Sequence, residues 1–519
     1  MIMHDHPVHM PLLDAGERTQ ARGIASLAYG NPFLAERIGH ERAVLGDAFV
    51  AGEPVWTLRP GREVHNINLV RVAEVAERLV ATMRKRIAAG TGPTADEARI
   101  FEDVALYVLY DRYAERIWEL LDRDVTGQRV GLWDDFRRDA ERLLDVPGVD
   151  LPARHDVARV FAEFFQVRRA FHYTFSSIVG GSMPTARLRA AVWESIFTHD
   201  MRRYRRALVD RMGDMTTLIT GPSGTGKELV ARAIALSRWV PFDAQSGRFA
   251  EWGSAVFHPL NLSALSPTLI ESELFGHRRG SYTGAVADRV GWLEQCQPHG
   301  TVFLDEVGDI DPGIQVKLLR VLQTRAFERL GDTKPLQFRG KLVAATNRDL
   351  PHEIAAGRFR RDFYYRLCAD MIETPSLASQ LEGAPEELSH LVLFLAERIV
   401  GEDEADALAD EVTTWIGRHL EPGYAWPGNV RELEQCVRNV LIRRTYRPPT
   451  HVASDARGAL AAAFTRGTLT AEQMLAGYCT LVYAETGSYQ ETARRLGLDR
   501  RTVRSKVDRQ QATALRAGR

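Results

Sequence analysis

The stretch Gly221-Pro222-Ser223-Gly224-Thr225-Gly226-Lys227-Glu228 follows the β-rich run Thr216-Thr217-Leu218-Ile219-Thr220 and precedes an apolar helical run over 229–237. Strand, glycine loop and helix in that order are the setting of a phosphate-binding loop. The glycines let the backbone curl so that successive N–H groups converge on phosphate oxygens. The helix N-terminus adds positive potential, and Lys227 is placed to reach the β- and γ-phosphates. Glu228 stands where most such loops put the Ser or Thr that holds magnesium, so metal binding has to draw on another acid.

Working outward, that acid is offered by Thr301-Val302-Phe303-Leu304-Asp305-Glu306, an apolar strand delivering two adjacent carboxylates to its C-terminal edge, where ligands sit in parallel sheets. Asp305 is the candidate holder of Mg²⁺ through water, and Glu306 the candidate for polarising an attacking water. A further strand, Lys341-Leu342-Val343-Ala344-Ala345, runs into Thr346-Asn347 and brings an amide to the same edge. Short β-rich runs alternate with helical ones over 178–377, which predicts an α/β fold with a parallel sheet covered by helices.

These pieces together resemble the AAA+ ATPase core. The text between them narrows the likeness: Glu271-Ser272-Glu273-Leu274-Phe275-Gly276-His277, then Gly280-Ser281-Tyr282-Thr283-Gly284-Ala285, resembles the surface loop of bacterial enhancer-binding proteins, the activators of sigma-54 RNA polymerase. That family's usual form is GAFTGA; here Ser281 replaces Ala and Tyr282 replaces Phe, while the aromatic ring, Thr283 and both glycines are kept. An exposed aromatic between glycines is a poor core element and a good moving contact. The resemblance covers about 178–442, roughly half the chain, through 317–323, 327–329 and 344–349.

The resemblance implies further roles. Glu228 is usual in that family. Asn261 corresponds to the switch asparagine that pairs with Glu306, and Asn347 to sensor I. Phe359-Arg360-Arg361-Asp362-Phe363-Tyr364-Tyr365-Arg366 matches the segment whose arginines, Arg360 and Arg366, reach a neighbouring subunit's nucleotide, which demands a ring. Arginine suits this because its planar, permanent charge can stabilise a transferring phosphoryl group. In Trp426-Pro427-Gly428-Asn429-Val430-Arg431-Glu432-Leu433, Arg431 corresponds to sensor II in a helical lid. The chain departs from the family at Thr374-Pro375-Ser376-Leu377, which lacks the usual charged end, and carries additional sequence over 186–215 and 243–254. These departures bear on loop geometry and ring contacts.

The C-terminal segment resembles the Fis-type helix-turn-helix of the same family. Residues 489–496 form its first helix, Ala493 is the small packing residue, Gly497 the turn and Asp499 the N-cap of a reading helix over 500–509. Arg501, Thr502, Arg504 and Ser505 are placed for base edges, and Arg494, Arg495, Arg500, Lys506 and Arg509 for phosphates. From Ala493 onward there are nine Lys/Arg against two Asp. The whole 519-residue chain hides this excess, with 67 Lys+Arg against 68 Asp+Glu, and is no uniformly basic nucleic-acid coat.

At 45% hydrophobic and 26% charged residues the chain has the composition of a globular protein, which excludes fibrous and low-complexity classes. No apolar run of about 18 residues and no signal-like start are found, so a cytoplasmic protein without a membrane partner is expected. Cys296, Cys368, Cys436 and Cys479 lie far apart, without the spacing of a disulfide framework or zinc ribbon. Over 94–124, Phe101, Val104, Ala105, Val108, Leu109, Tyr113, Ile117, Leu120 and Leu121 recur at helical spacing, with Thr94 and Glu97 as a capping box. A second helix is expected over 156–175, its phenylalanines reading as core more readily than as a ligand pocket, and His4, His6 and His9 read as a tail. No receiver pattern is present.

The expected organisation is a mainly helical N-terminal regulatory region at 1–177, an AAA+ α/β ATPase core at 178–372, a helical lid at 373–446, a linker at 447–467 and a helix-turn-helix domain at 468–519. The implied function is an ATP- and Mg²⁺-dependent transcriptional activator that binds upstream double-stranded DNA, assembles from dimers towards a hexameric ring and remodels sigma-54 holoenzyme, with Gly280 to Ala285 as the sigma-54 contact. Two rivals are a regulator of the same ancestry that serves another sigma factor or represses, and a P-loop motor acting on nucleic acid.

Overall fold

Strand alternation places neighbouring residues on opposite faces of a sheet, and the chain's apolar runs use both faces. In the computed structural model, β1 (Thr217–Thr220), β2 (Phe257–Asn261), β3 (Thr301–Asp305), β4 (Lys341–Thr346) and β5 (Asp370–Glu373) form one sheet in the order β2-β3-β4-β1-β5. All four pairings are parallel. Leu218, Val302, Leu304, Leu342 and Ala344 fill one face with Leu274, Ile314, Leu318 and Phe363. Ile219, Phe303, Val343 and Ala345 fill the other with Val230, Ile234 and Trp193. A sheet buried on both faces explains why these strands read as continuous apolar runs. The expected α/β class is observed.

The structure describes residues 11–52, 66–122, 127–253, 256–448, 469–509, 511–513 and isolated positions between 460 and 467. His4, His6 and His9 and most of the 447–467 linker lie outside the described residues. Two compact units are present, Met1–Ile442 and Arg443–Arg519. Among the described residues no helix is long and apolar enough to cross a membrane.

The N-terminal region is helical: α1 (Ala15–Tyr29), α2 (Glu36–Leu45), α3 (Ile67–Ala88), α4 (Ala95–Asp122), α5 (Trp133–Leu144), α6 (Val157–Ser177) and α7 (Met183–Phe197). The Thr94–Glu97 capping box opens α4, with Glu97 N–H on Thr94 Oγ1 and Thr94 N–H on the Glu97 carboxylate. Asp156 caps α6 through Arg159 N–H.

The additional sequence at 243–254 has a structural role. Phe242–Asp243 and Arg248–Phe249 form a small antiparallel hairpin that inserts aromatic rings into the N-terminal core. Phe249 lies 4.0 Å from Phe165 between ring centroids, Phe242 lies 4.9 Å from Phe161, and Trp252 lies 5.2 Å from Phe165. The hairpin straps the helical region to the sheet. The other addition contributes α7, whose Trp193 and Phe197 join the core over one sheet face.

On the same face as α7, α8 (Lys227–Leu236) follows the glycine loop; α9 (Pro267–Phe275), α10 (Pro312–Thr324) and α11 (Arg361–Leu367) cover the opposite face, and the helices α12 (Glu387–Val400), α13 (Glu402–His419) and α14 (Asn429–Arg443) follow. In the C-terminal unit, α15 (Ala471–Thr486), α16 (Tyr489–Leu496) and α17 (Arg500–Lys506) pack together. The helix expected over 500–509 is shorter. Val507 turns extended, and Asp508 begins another turn by accepting Gln511 N–H. An aspartate competes with a helix interior in this way when its carboxylate can cap the following turn.

Candidate functional site

The glycine loop is dictated by close approach. Gly221, Gly224 and Gly226 have φ of +141°, +79° and +87°. A Cβ at Gly221 would run into the Thr374 hydroxyl and carbonyl, and one at Gly224 into the Gly428 carbonyl. Only glycine accommodates both the left-handed backbone and the contact. The loop ends on α8, whose N-terminus carries unpaired N–H groups and positive potential. Lys227 is buried, with Nζ donating to the Gly221 and Pro222 carbonyls at 3.0 and 3.1 Å. Burial pushes its pKa down, opposed by the charges of Glu306 and Asp305. Thr225 Oγ1 donates to Pro222 O at 2.9 Å and lies 2.7 Å from Thr374 Oγ1, while Ser223 and Glu228 are exposed. Thr374 backs the loop by donating its N–H to Thr220 O at 2.8 Å. It is absent from the sequence candidates; its position beside Pro375 in the departing segment was the available signal.

The acids stand at neighbouring strand ends. Parallel register pairs Asn261 with Asp305, and Asn261 Nδ2 faces Asp305 Oδ2 at 3.5 Å, while its Oδ1 accepts from Ser263 N and Oγ. The expected Asn261–Glu306 pair is therefore replaced by Asn261–Asp305. Glu306 follows the strand with φ +56°, and its carboxylate accepts the Asn347 N–H at 3.2 Å. Asp305 is half-buried, and desolvation pushes its pKa up. A half-buried carboxylate without a cationic ion-pair partner among the described residues suits a hard divalent cation. Asn347 is exposed beside buried Thr346.

The start of α14 packs against the loop. Asn429, at φ +54° and 3% exposed, donates from Nδ2 to Ser223 O at 2.9 Å and accepts Leu377 N–H on Oδ1 at 2.8 Å. Arg431 reaches Ser223 Oγ at 3.3 Å. The motif from Trp426 to Leu433 carries Asn429 beside Arg431, but the sequence alone does not mark it as a contact to the loop.

Away from the loop, Arg360 forms a bidentate pair with Asp362 at 3.0 and 2.7 Å. Arg366 is exposed on α11 with no ion pair among the described residues. Neither hydrogen-bonds to its own chain's glycine loop. The turn from Gly280 to Ala285 is closed by Gly280 N–H on Ala285 O at 2.8 Å and Ala285 N–H on Tyr282 O at 3.0 Å. Arg278 fastens its base between Asp288 and Asp332 at 2.6 and 2.8 Å. Tyr282 is half-buried, its ring 5.1 Å from that of His277, which corrects the expectation of an exposed aromatic. Buried His277, held by Ser272 Oγ at 2.7 Å, supplies the surface it rests on. Thr283 remains exposed, and the Ser281 hydroxyl is buried without a hydrogen-bond partner among the described residues.

Residues 196–373 match the family described as Sigma-54 interaction domain. This stretch is a sigma-54 interaction domain. The chain is similar to the transcriptional regulatory protein ZraR of Klebsiella oxytoca, 38% identical over 302 residues, which are 57% of this chain and 64% of that protein. It is also similar to the Nif-specific regulatory protein of Azotobacter vinelandii, 40% identical over 276 residues, 52% of this chain and 45% of that one. The chain spans less than two thirds of the length of either relative. Among solved structures, NtrX from Brucella abortus aligns with TM-score 0.38 and 26% identity over 72% of this chain and 74% of that one.

The sigma-54 interaction domain contains the glycine loop, Asn261, both strand-end acids, Asn347, the Gly280 to Ala285 turn and both candidate arginines. Arg431 lies beyond it, as does the C-terminal unit. There, Gly497 turns at φ +67° between α16 and α17, Asp499 accepts Arg501 and Thr502 N–H, and Val503 and Ala493 are buried. Arg500, Arg501 and Arg504 are exposed with no ion pair among the described residues. Thr502 Oγ1 bonds Asp499, Ser505 Oγ donates to Thr502 O, and Lys506 pairs with Glu472 at 2.6 Å.

Proposed function

We propose that the chain is an ATP-hydrolysing transcription activator that binds upstream DNA, assembles into a homo-oligomeric ring, a hexamer, and remodels the sigma-54 RNA polymerase holoenzyme for promoter opening in the cytoplasm. The observation that carries this reading is that one sigma-54 interaction domain holds both a phosphate-binding loop facing two strand-end carboxylates and the turn with exposed Thr283.

Within this reading, loop N–H groups and Lys227 bind the nucleotide phosphates. Asp305 holds Mg²⁺, which when bound neutralises phosphate charge. Glu306 orients the attacking water, and the Asn347 N–H fixes its carboxylate. Asn261 and Asn347 report the γ-phosphate, and Arg431 touches the same nucleotide from the lid. Arg360 and Arg366 serve a neighbouring subunit, for which Arg360 must exchange Asp362 for a more strongly charged partner. The Tyr282–Thr283 turn engages sigma-54, and Arg500, Arg501 and Arg504 approach DNA.

The test is open-complex formation on a sigma-54 promoter with its upstream site, comparing ATP with a non-hydrolysable analogue and wild type with Thr283→Ala. Opening that needs both hydrolysis and Thr283 is expected. Full opening by Thr283→Ala would remove the role given to the turn.

A further inference from the structure

Inside the N-terminal region the helices leave a cavity of about 680 Å³ between α1, α2, α4, α6 and α7. A space of this size matches small-molecule sites, and a well-packed core ordinarily contains no such void. Its walls are largely apolar, with Leu34, Phe49, Leu106, Phe164, Phe171 and Trp193 among them. Of the charges on its walls, Arg37 pairs with Glu41 at 3.0 Å, Arg168 with Glu115 at 3.3 Å, and Arg205 with Glu163 while donating to Tyr29 Oη at 2.8 Å; Glu36, Arg42 and Asp111 make no ion pair among the described residues, and burial pushes the Asp111 carboxyl up, towards its neutral form. A charged ligand would have to break such pairs, at a desolvation cost a neutral one avoids. The Tyr107 hydroxyl, on the same wall, has no hydrogen-bond partner among the described residues, so it is a donor for a ligand acceptor.

One wall of the cavity is also the support of the glycine-loop helix. Gln166 on α6 accepts the Tyr204 hydroxyl at 2.8 Å and donates to Ser237 O at 3.1 Å. One turn further on, fully buried Arg169 donates to Leu236 O and, at 3.1 Å, to Arg238 O. Leu236 O is the last carbonyl of α8, Ser237 O belongs to its C-cap and Arg238 O to the residue after it; a helix cannot satisfy the carbonyls at this end by itself. Because α8 is a short rigid rod whose other end is the glycine loop, a shift of α6 is transmitted to that loop.

We propose that this cavity binds a neutral, largely apolar small molecule bearing a hydrogen-bond acceptor, and that occupancy alters nucleotide affinity through Gln166 and Arg169 on the C-terminal end of α8. The second half rests on the nucleotide-binding reading given above.

The experiment uses the full-length chain and prodan, a neutral naphthalene ketone whose fluorescence shifts to the blue in apolar surroundings, with ADP affinity measured by calorimetry in its presence and absence. Saturable one-to-one prodan binding is expected. Ala28→Phe, which fills the cavity, weakens it by about tenfold or more, and the milder Tyr107→Phe by about threefold to tenfold. Saturating prodan changes ADP affinity by about fivefold or more in wild type and not in Ala28→Phe. ADP binding by both variants shows that they fold. Prodan binding that does not saturate, or that is equal in wild type and Ala28→Phe, would overturn the site. Equal occupancy by the anion anilinonaphthalene sulfonate would overturn the neutral class. Saturable prodan binding with unchanged ADP affinity would overturn the coupling alone. Absence of ADP binding in every arm would overturn the nucleotide reading and the coupling with it, leaving prodan to decide the cavity.

Discussion

The side-chain amide of Asn429 donates to the backbone carbonyl of Ser223 across 2.9 Å, tying the first residue of the lid helix to the middle of the glycine loop. Gly224 lies so close to Gly428 that no side chain fits between them. The loop's shape is therefore held from the lid as well as from its own strand and helix.

Replacing Asn429 by Ala removes one buried and one part-buried hydrogen bond and leaves a non-glycine residue at φ +54°. A loss of about 2–4 kcal/mol in stability is expected, together with weaker ADP binding. Asn429→Gly, which relieves only the backbone term, should recover part of the stability and little of the affinity. Thermal unfolding and ADP calorimetry on the three proteins separate the two contributions.

Glu306 accepts from the Asn347 backbone and makes no ion pair among the described residues, so its carboxylate is free to act on water. Glu306→Gln should retain ATP binding and lower turnover by about 100-fold or more, whereas Lys227→Ala should lose binding itself. Steady-state hydrolysis beside equilibrium ATP binding reads both. Unimpaired turnover by Glu306→Gln would transfer the water-orienting role to another group.

Phe249 stacks on Phe165 from a two-stranded hairpin that lies in the chain between α8 and β2 of the main sheet, so its loss weakens the strap and not only a local cluster. Phe249→Ala is expected to cost about 3–5 kcal/mol and to expose the N-terminal helices to limited proteolysis before the sheet unfolds. If both regions are cleaved at the same rate in the variant, the hairpin is not what joins them.

Lys341 begins β4, is fully buried and donates to Met215 O at 2.7 Å. Burial, with Arg238 and Arg325 adding to it and Asp370 opposing, pushes its pKa down to about 7. The unfolded chain keeps that proton up to about pH 10.4. Between those values the unfolded state binds more protons, so this lysine makes the fold more stable as pH rises, by no more than about 1.4 kcal/mol per pH unit. Denaturation of wild type and Lys341→Met at pH 7 and pH 9.5 tests the sign: the difference between them should move in favour of wild type at the higher pH.

Much of the molecule could be read one segment at a time. The glycine loop, the apolar runs ending in Asp305 and Thr346, the Thr94–Glu97 box and the Asp499 cap each depend on residues within a few positions of one another. Backbone freedom at glycine, strand alternation and capping act over that range, so the α/β class, the phosphate loop and the turn at Gly497 follow from order along the chain.

Other features depend on which segments meet. Asn261 faces Asp305 because parallel register sets their strand ends side by side, and nothing within either segment records that register. Tyr282 is half-buried because His277 is there to receive it, Thr374 backs the glycine loop from just beyond the neighbouring strand β5, and the 243–254 addition is a strap only because Phe161 and Phe165 lie opposite. Arg169 became a helix support for the same reason: a buried guanidinium must find carbonyls, and which carbonyls it finds is decided by packing. Local sequence chemistry therefore specified the elements and the residue types at their ends, while burial and hydrogen bonding between distant segments settled which of those residues face one another.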